Sequence, residues 1–179
     1  MKKVFMTIGV LVMVGMVVGV LAQADTTGVV TASVTVQNIA VSLNRANFAY
    51  GSIPANSASS TITLWGGLGM IATNDGSLAN FDIYGANTGT GASGNGWDLA
   101  TATTTADNYK HRFCVGNAAA CPNIQSPTQY TSLTTSTQVL QASVASLATV
   151  TFQLTMHTPN PSTKFTEQSA AVTVQASAP

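Results

Sequence analysis

Charged residues are scarce in this chain: Asp, Glu, Lys and Arg together make up 7% of its 179 residues. Six are basic and six are acidic. Proteins that bind nucleic acids need clustered lysines and arginines to neutralise phosphates and release counterions. Beyond Lys2 and Lys3 only four basic residues remain, and they are mostly scattered: Arg45, Lys110, Arg112 and Lys164. We therefore expect no nucleic-acid partner.

The shortage of charge also affects the expected surface. Soluble monomers commonly have surfaces that are about a quarter to a third charged. Here the surface must consist mainly of hydroxyl and amide side chains from Ser, Thr, Asn and Gln, which repel other copies of the chain only weakly. This composition suits a protein that packs against its own copies, and it equally suits a threonine-rich secreted domain.

Candidate catalytic groups are few as well. Hydrolysis of sugars needs two carboxylates that face each other, and no acidic residue here belongs to a motif: Asp25, Asp75, Asp82, Asp98, Asp107 and Glu167. His111 and His157 could be combined with a serine, but serines are so abundant that such a match has no meaning without geometry. We expect no enzymatic activity, no cofactor and no metal site.

Only two cysteines are present, Cys114 and Cys121. In an exported chain this spacing predicts a disulfide that closes one short loop, with Gly116 and Asn117 supplying the turn. Such a loop stabilises the fold by about 2 kcal/mol in the loop-entropy treatment. A metal site would need further cysteines or histidines at suitable spacing.

The N-terminus has the organisation of a secretory signal peptide. Lys2 and Lys3 precede an apolar run over 4–21, and Ala22-Gln23-Ala24 stands before Asp25. These features predict cleavage of residues 1–24, a secreted or cell-surface location, and one domain over 25–179 with no membrane segment. The alternative is a retained helix, as in a pilin, because roughly 18 apolar residues can just span a bilayer.

Alternation of apolar and polar residues predicts strands along most of the remaining chain. It is clearest at Val30, Ala32, Val34 and Val36, and it recurs over 39–43, 62–64, 79–84, 97–99, 109–115, 149–156 and 172–174. Asn74-Asp75-Gly76 can supply positive φ angles for a tight turn, and 85–96 reads as a surface loop. With no helical period outside the signal, we predict an all-β fold: a single-domain antiparallel β-sandwich of jelly-roll or Ig-like type.

Residues 29–83 carry a resemblance. The N-terminal β segment, Tyr50-Gly51-Ser52-Ile53-Pro54-Ala55-Asn56 and Ala72-Thr73-Asn74-Asp75-Gly76-Ser77-Leu78 resemble secreted fibre subunits of the TasA and camelysin kind, and are similar to archaeal bundling pilins. The resemblance implies a sandwich that lacks a strand, which the N-terminal segment of a neighbouring subunit completes. The cysteine pair and the glycine-rich loop depart from that pattern, and the metal ligands of a camelysin protease activity are not found.

Donor-strand addition needs an extended, uncharged, alternating segment, because backbone hydrogen bonds supply affinity and every second side chain fills a groove. Within the possible donor strand 25–38, residues 27–36 meet this requirement, with Val30, Ala32, Val34 and Val36 as the inserted side chains and Asp25 left outside. We therefore expect a structural subunit that self-associates into a homopolymer: a filament, pilus or biofilm matrix. Two alternatives stay open: the segment pairs with its own domain, or the protein is a monomeric binding domain that holds a glycan on Trp65 and the 85–96 loop.

Overall fold

The computed structural model describes residues 33–34, 36–89, 96–101, 106–126 and 128–179. Its elements are almost all strands, with one short helix. In chain order they are β1 Val41–Leu43, β2 Ala58–Ser60, α1 Thr61–Trp65, β3 Met70–Asn74, β4 Ala79–Gly85, β5 Asp98–Leu99, β6 Asn108–Val115, β7 Thr131–Ser132, β8 Gln138–Val144, β9 Thr149–His157 and β10 Val172–Ser177. The expected all-β class is confirmed, and the predicted signal peptide over 1–24 lies outside the described residues.

Within the described residues the strands form two sheets. The larger has seven strands in the order β1-β3-β9-β6-β5, with β2 also pairing with β9 and β7 with β6. The smaller has three strands in the order β10-β4-β8. The prediction of a purely antiparallel fold is wrong at one place, because β5 pairs with β6 in parallel. The two residues of β5 are too few for alternation to indicate strand direction.

One hydrophobic core draws on both sheets. Its largest buried side chains are Phe113, Phe152 and Leu154 from the larger sheet and Phe81, Ile83 and Leu140 from the smaller one. In β4 burial alternates strictly over seven residues, which is the signature of a strand with one face on a core. Residues Val36–Pro179 form one compact unit around this core.

The strand predicted from Ile62 and Leu64 is instead the helix α1. The side-chain oxygen of Ser60 accepts a hydrogen bond from the backbone N–H of Thr63 (3.2 Å), and the Thr63 hydroxyl accepts one from the backbone N–H of Ser60 (3.3 Å). This reciprocal capping box starts the helix, and Gly66 ends it with φ at +61°. Because the capping partners are Ser and Thr, local side-chain chemistry overrides the alternating pattern.

The turn at Asn74-Asp75-Gly76 joins the two sheets, since β3 and β4 do not pair with each other. None of these three residues has the positive φ expected of them. Instead the buried Asn74 amide donates to the carbonyls of Ser77 (2.7 Å) and Val144 (2.8 Å), and its oxygen accepts from the Gly76 N–H (3.0 Å). One side chain thus fixes the link between β3, β4 and the end of β8.

Candidate functional site

The proposed donor segment is only partly among the described residues. Val34 and Val36 are 88% and 84% exposed, and neither lies in a strand. Val30 and Ala32 lie outside the described residues. Two large apolar side chains of the same parity are therefore exposed, in a stretch of sequence that has no charged residue from Thr26 to Leu43.

The chain joins the fold immediately after this segment. The Asn38 carbonyl accepts a hydrogen bond from the backbone N–H of Ser77 (2.6 Å), and the Ala40 carbonyl accepts one from that of Asp75 (3.1 Å). A Cβ at Gly76 would lie 2.1 Å from the Asn38 oxygen, so only glycine permits this approach. The chain from Asn38 onward is thus fixed to the link between the two sheets.

An open cleft of about 410 Å³ lies where the smaller sheet meets the larger one. It is lined by the end of β6, the second half of β8 and the start of β9, with small side chains predominating: Val115, Ala142, Val144, Ala145, Ala148, Thr149, Val150 and Thr151. Within the described residues β8 pairs on one side only, with β4. The cleft therefore lies beside a sheet edge that can accept another strand.

Trp65, the candidate ligand platform, is half-buried and packs against the main core. The guanidinium carbon of Arg45 lies 4.5 Å from the centroid of its ring, in a cation–π arrangement. Phe48 meets the same ring edge-on at 5.2 Å. A sugar that stacked on the face covered by Arg45 would first have to displace that side chain.

Trp65 also begins a row of aromatic rings. The centroids of consecutive rings lie 5.2, 4.9, 5.7, 6.2 and 6.3 Å apart along Trp65, Phe48, Tyr50, His111, Tyr109 and Trp97. Edge-on pairs at these distances add to the energy of burial. Sequence reasoning missed Phe48 and Tyr50, although their spacing of two residues would place both rings on one side of an extended segment.

The predicted disulfide between Cys114 and Cys121 is present, with the two Cα atoms 6.1 Å apart. Gly116 supplies the turn with φ at +128°, and Asn117 caps it by accepting from the backbone N–H of Ala119 (3.0 Å). Cys121 does not lie on a returning strand. The bond pins a loop over 116–130 to the end of β6, and the loop carries Tyr130 into a second small core with both cysteines.

Burial lowers the pKa of both histidines. Burial lowers the pKa of His111 to about 4, and the Tyr50 hydroxyl lies 2.9 Å from its Nε2. Burial, and then the positive charges of Arg112 and Lys110, lower the pKa of His157. His111, which is neutral near pH 7 and enclosed between Tyr50 and Tyr109, is a structural group rather than a general base poised for catalysis.

Two of the described carboxylates, those of Asp107 and Asp98, hold local structure through hydrogen bonds. Asp107 accepts hydrogen bonds from the backbone N–H of Thr163 (2.6 Å) and from its hydroxyl, and these bonds lower the pKa of Asp107. Asp98 accepts from the amide of Asn87 (2.9 Å). Within the described residues no three His, Cys, Asp or Glu side chains are grouped to hold a metal ion. In the same residues no helix has the length and apolar character needed to cross a membrane.

The base of the 85–96 loop is closed by polar contacts. Thr88 is buried, and its backbone N–H donates to the Trp97 carbonyl (2.9 Å). A Cβ at Gly96 would lie 1.7 Å from the Thr88 oxygen, so the two ends approach closely. Residues 90–95, the centre of the proposed glycan loop, lie outside the described residues. The chain matches no family model, no curated protein and no solved structure.

Proposed function

We propose that this protein is a secreted, non-enzymatic subunit of an extracellular filament or surface matrix, assembled by N-terminal β-strand complementation. The observation that carries the proposal is the exposure of Val34 and Val36 in front of a core that is built without them. Among the described residues, the first side chain that packs against the main core is Val41. Exposed valines at alternate positions cost solvation in a monomer and are covered when the segment becomes a strand of a neighbour.

The cleft beside β8 supplies an acceptor for this segment. Its lining is small and mostly apolar, which fits Val and Ala side chains at every second position. The unpaired side of β8 offers backbone groups to an incoming strand. Burying four such side chains would contribute about 1.5 kcal/mol for each valine and less for alanine, before the cost of ordering the segment.

The finer architecture belongs to the same proposal. We infer that the two sheets face each other as a jelly-roll or Ig-like sandwich, because side chains from both join one core. In this arrangement the three-stranded sheet is short of strands relative to its seven-stranded partner, and an added strand along β8 would extend it.

Electron microscopy of the exported protein over a range of concentrations tests the proposal. We expect filaments of constant width for the unaltered chain and for Ser33→Asp, and dispersed protein for Val34→Asp. The two variants carry the same new charge on adjacent residues, but only position 34 has the parity of the inserted side chains. Both should unfold at the temperature of the unaltered chain, because neither site belongs to the core.

A second pair of variants tests the acceptor. Ala145→Arg places a long cation at the rim of the cleft and should prevent assembly, whereas the exposed Ala55→Arg lies away from the cleft and should not. Filaments from Val34→Asp, or monomers of the unaltered chain at every concentration, would contradict strand complementation. In the second case a glycan screen with Trp65→Ala as control tests the monomeric binding domain.

A further inference from the structure

Two of the four cations found after the N-terminal segment lie together on one face of the larger sheet. Lys110 and Arg112 are two residues apart on β6 and therefore point to the same side. The register places His157 of β9 directly opposite Lys110, with Thr155 opposite Arg112. This face points away from the core, because the intervening His111 and Phe113 lie on the core side with Met156 and Leu154.

Arg112 is unusually enclosed for a charged residue, with 9% of its surface exposed. Its Nη1 donates to the carbonyl of Gln125 (3.3 Å) in the disulfide-pinned loop. Its Nε is buried and has no hydrogen-bond partner. The bond to Gln125 uses Nη1, and no hydrogen bond within the described residues occupies the edge formed by Nε and Nη2. Such an edge can hold an oxyanion through two parallel N–H bonds.

His157 also has a ring nitrogen without a hydrogen-bond partner. The backbone of Ile124 hydrogen-bonds its ring, while Nε2 is buried without a partner. Two buried, unpartnered nitrogens on neighbouring residues of one sheet face are costly unless something bonds to them. Among the described residues no carboxylate offsets the charges here: the pKa of Arg112 is lowered by burial, and that of Lys110 by burial and by Arg112 itself.

We propose that Arg112, His157 and Lys110 form a binding site for a small oxyanion of the phosphate or sulfate class. The guanidinium edge of Arg112 donates two N–H bonds, and Lys110 supplies a further positive charge at the rim. A bound anion favours the protonated form of His157, whose ring then donates through Nε2. An anion would offset the repulsion between the cations and would accept hydrogen bonds from the two unpartnered nitrogens, Nε of Arg112 and Nε2 of His157. The site is independent of filament assembly, since the donor valines and the β8 cleft take no part in it.

The test is thermal unfolding of the exported protein in sodium phosphate against sodium chloride at matched ionic strength. Specific binding raises the melting temperature with phosphate concentration and saturates. The general stabilisation by excluded salts does not saturate and acts on every variant. We expect Arg112→Gln to weaken phosphate binding by at least about tenfold, and Lys110→Gln to weaken it less. Arg45→Gln removes a cation of the same type, which stacks on Trp65, and should leave binding unchanged.

A second readout keeps the proposal testable if Arg112→Gln does not fold. The side-chain Nε–Hε signal of Arg112 in a nitrogen-proton spectrum should shift on addition of phosphate, while that of Arg45 stays in place. Glucose 6-phosphate distinguishes the source of the anion: a matching shift shows that the site accepts a phosphate attached to a larger molecule, and its absence restricts the site to free ions. A phosphate effect that is absent, or equal in all variants, would overturn the proposal.

Discussion

Strands β6 and β9 bury two faces of opposite character. On one face Phe113, Phe152 and Leu154 join the main core. On the other face Gln153 and Thr155 are as completely buried, although both are polar. Apolar packing holds most of the first face, where the buried His111 is a polar exception, whereas the second face needs a hydrogen-bond partner for every buried group. The comparison shows that burial alone does not indicate which parts of this sheet hold the fold together.

The elements α1 and β2 cover the polar face and supply hydrogen-bond partners for its buried side chains. The Gln153 oxygen accepts from the Thr61 hydroxyl of α1 (2.7 Å), and the Thr155 hydroxyl donates to the Ser59 carbonyl of β2 (3.1 Å). The nitrogens of Arg112 and His157 are the exceptions on this face. Unsatisfied groups in an otherwise satisfied layer are where a ligand has most to gain, so the same face is both a structural layer and a candidate site.

The largest loss of stability should follow truncation of Phe152 on the core face, where this side chain is 1% exposed. Phe152→Ala should lower the free energy of unfolding by about 3–5 kcal/mol, because it removes a large side chain and leaves a cavity. Val115 is its cross-strand partner but is 40% exposed, so Val115→Ala should cost less than about 1 kcal/mol. Urea unfolding measures both, and equal losses would mean that the core is not centred on β9.

The core face was largely predictable from the sequence. Alternation along β9 and β6 placed Phe152, Leu154 and Phe113 on one side, because the period of a strand is two. The covering of the other face was not predictable, since α1 depends on a Ser60–Thr63 capping box within an alternating stretch. The 116–130 loop had no periodic signal either, and only its disulfide was evident from the spacing of Cys114 and Cys121.

The candidate site also has one part that could be predicted from the sequence and another that could not. The donor segment was predicted from a local pattern, because the alternation of Val30 to Val36 is visible in the sequence itself. The acceptor cleft and the Arg112–His157 pair depend on which strands become neighbours, and strand order does not follow from alternation. The spacing of Lys110 and Arg112 does not by itself indicate a site, since their relation to His157 appears only with the β6–β9 register.

His111 on the core face should make the free energy of unfolding depend on pH, with a smaller effect than truncation of Phe152. Burial lowers its pKa to about 4 from an ordinary 6.5. Below pH 6.5 the unfolded chain therefore binds a proton that the folded chain does not, so stability is complete above that pH and falls towards pH 4. The loss should approach about 3 kcal/mol. Urea unfolding between pH 7 and 4 measures it.

Substitution of each histidine in turn separates the contributions of the two faces to the pH dependence of stability. His111→Phe keeps a ring in the aromatic row and should remove most of the pH dependence. His157→Gln on the polar face should leave the contribution of His111 in place, and should itself remove a smaller one, because burial and two cations also lower the pKa of His157. If His111→Phe retained the full slope, the loss of stability in acid would have to come from other groups.

The smallest effect, and the sharpest probe of the polar face, is expected at Thr61. Its hydroxyl donates to Gln153 (2.7 Å) and accepts from the backbone N–H of Leu154 (3.0 Å). Thr61→Val keeps the shape but leaves both partners unsatisfied in a buried layer, which should cost about 1–2 kcal/mol. Thr61→Ser keeps the hydroxyl and should cost less, despite losing a methyl group. The reverse order in urea unfolding would mean that packing, rather than hydrogen bonding, holds this face as it holds the other.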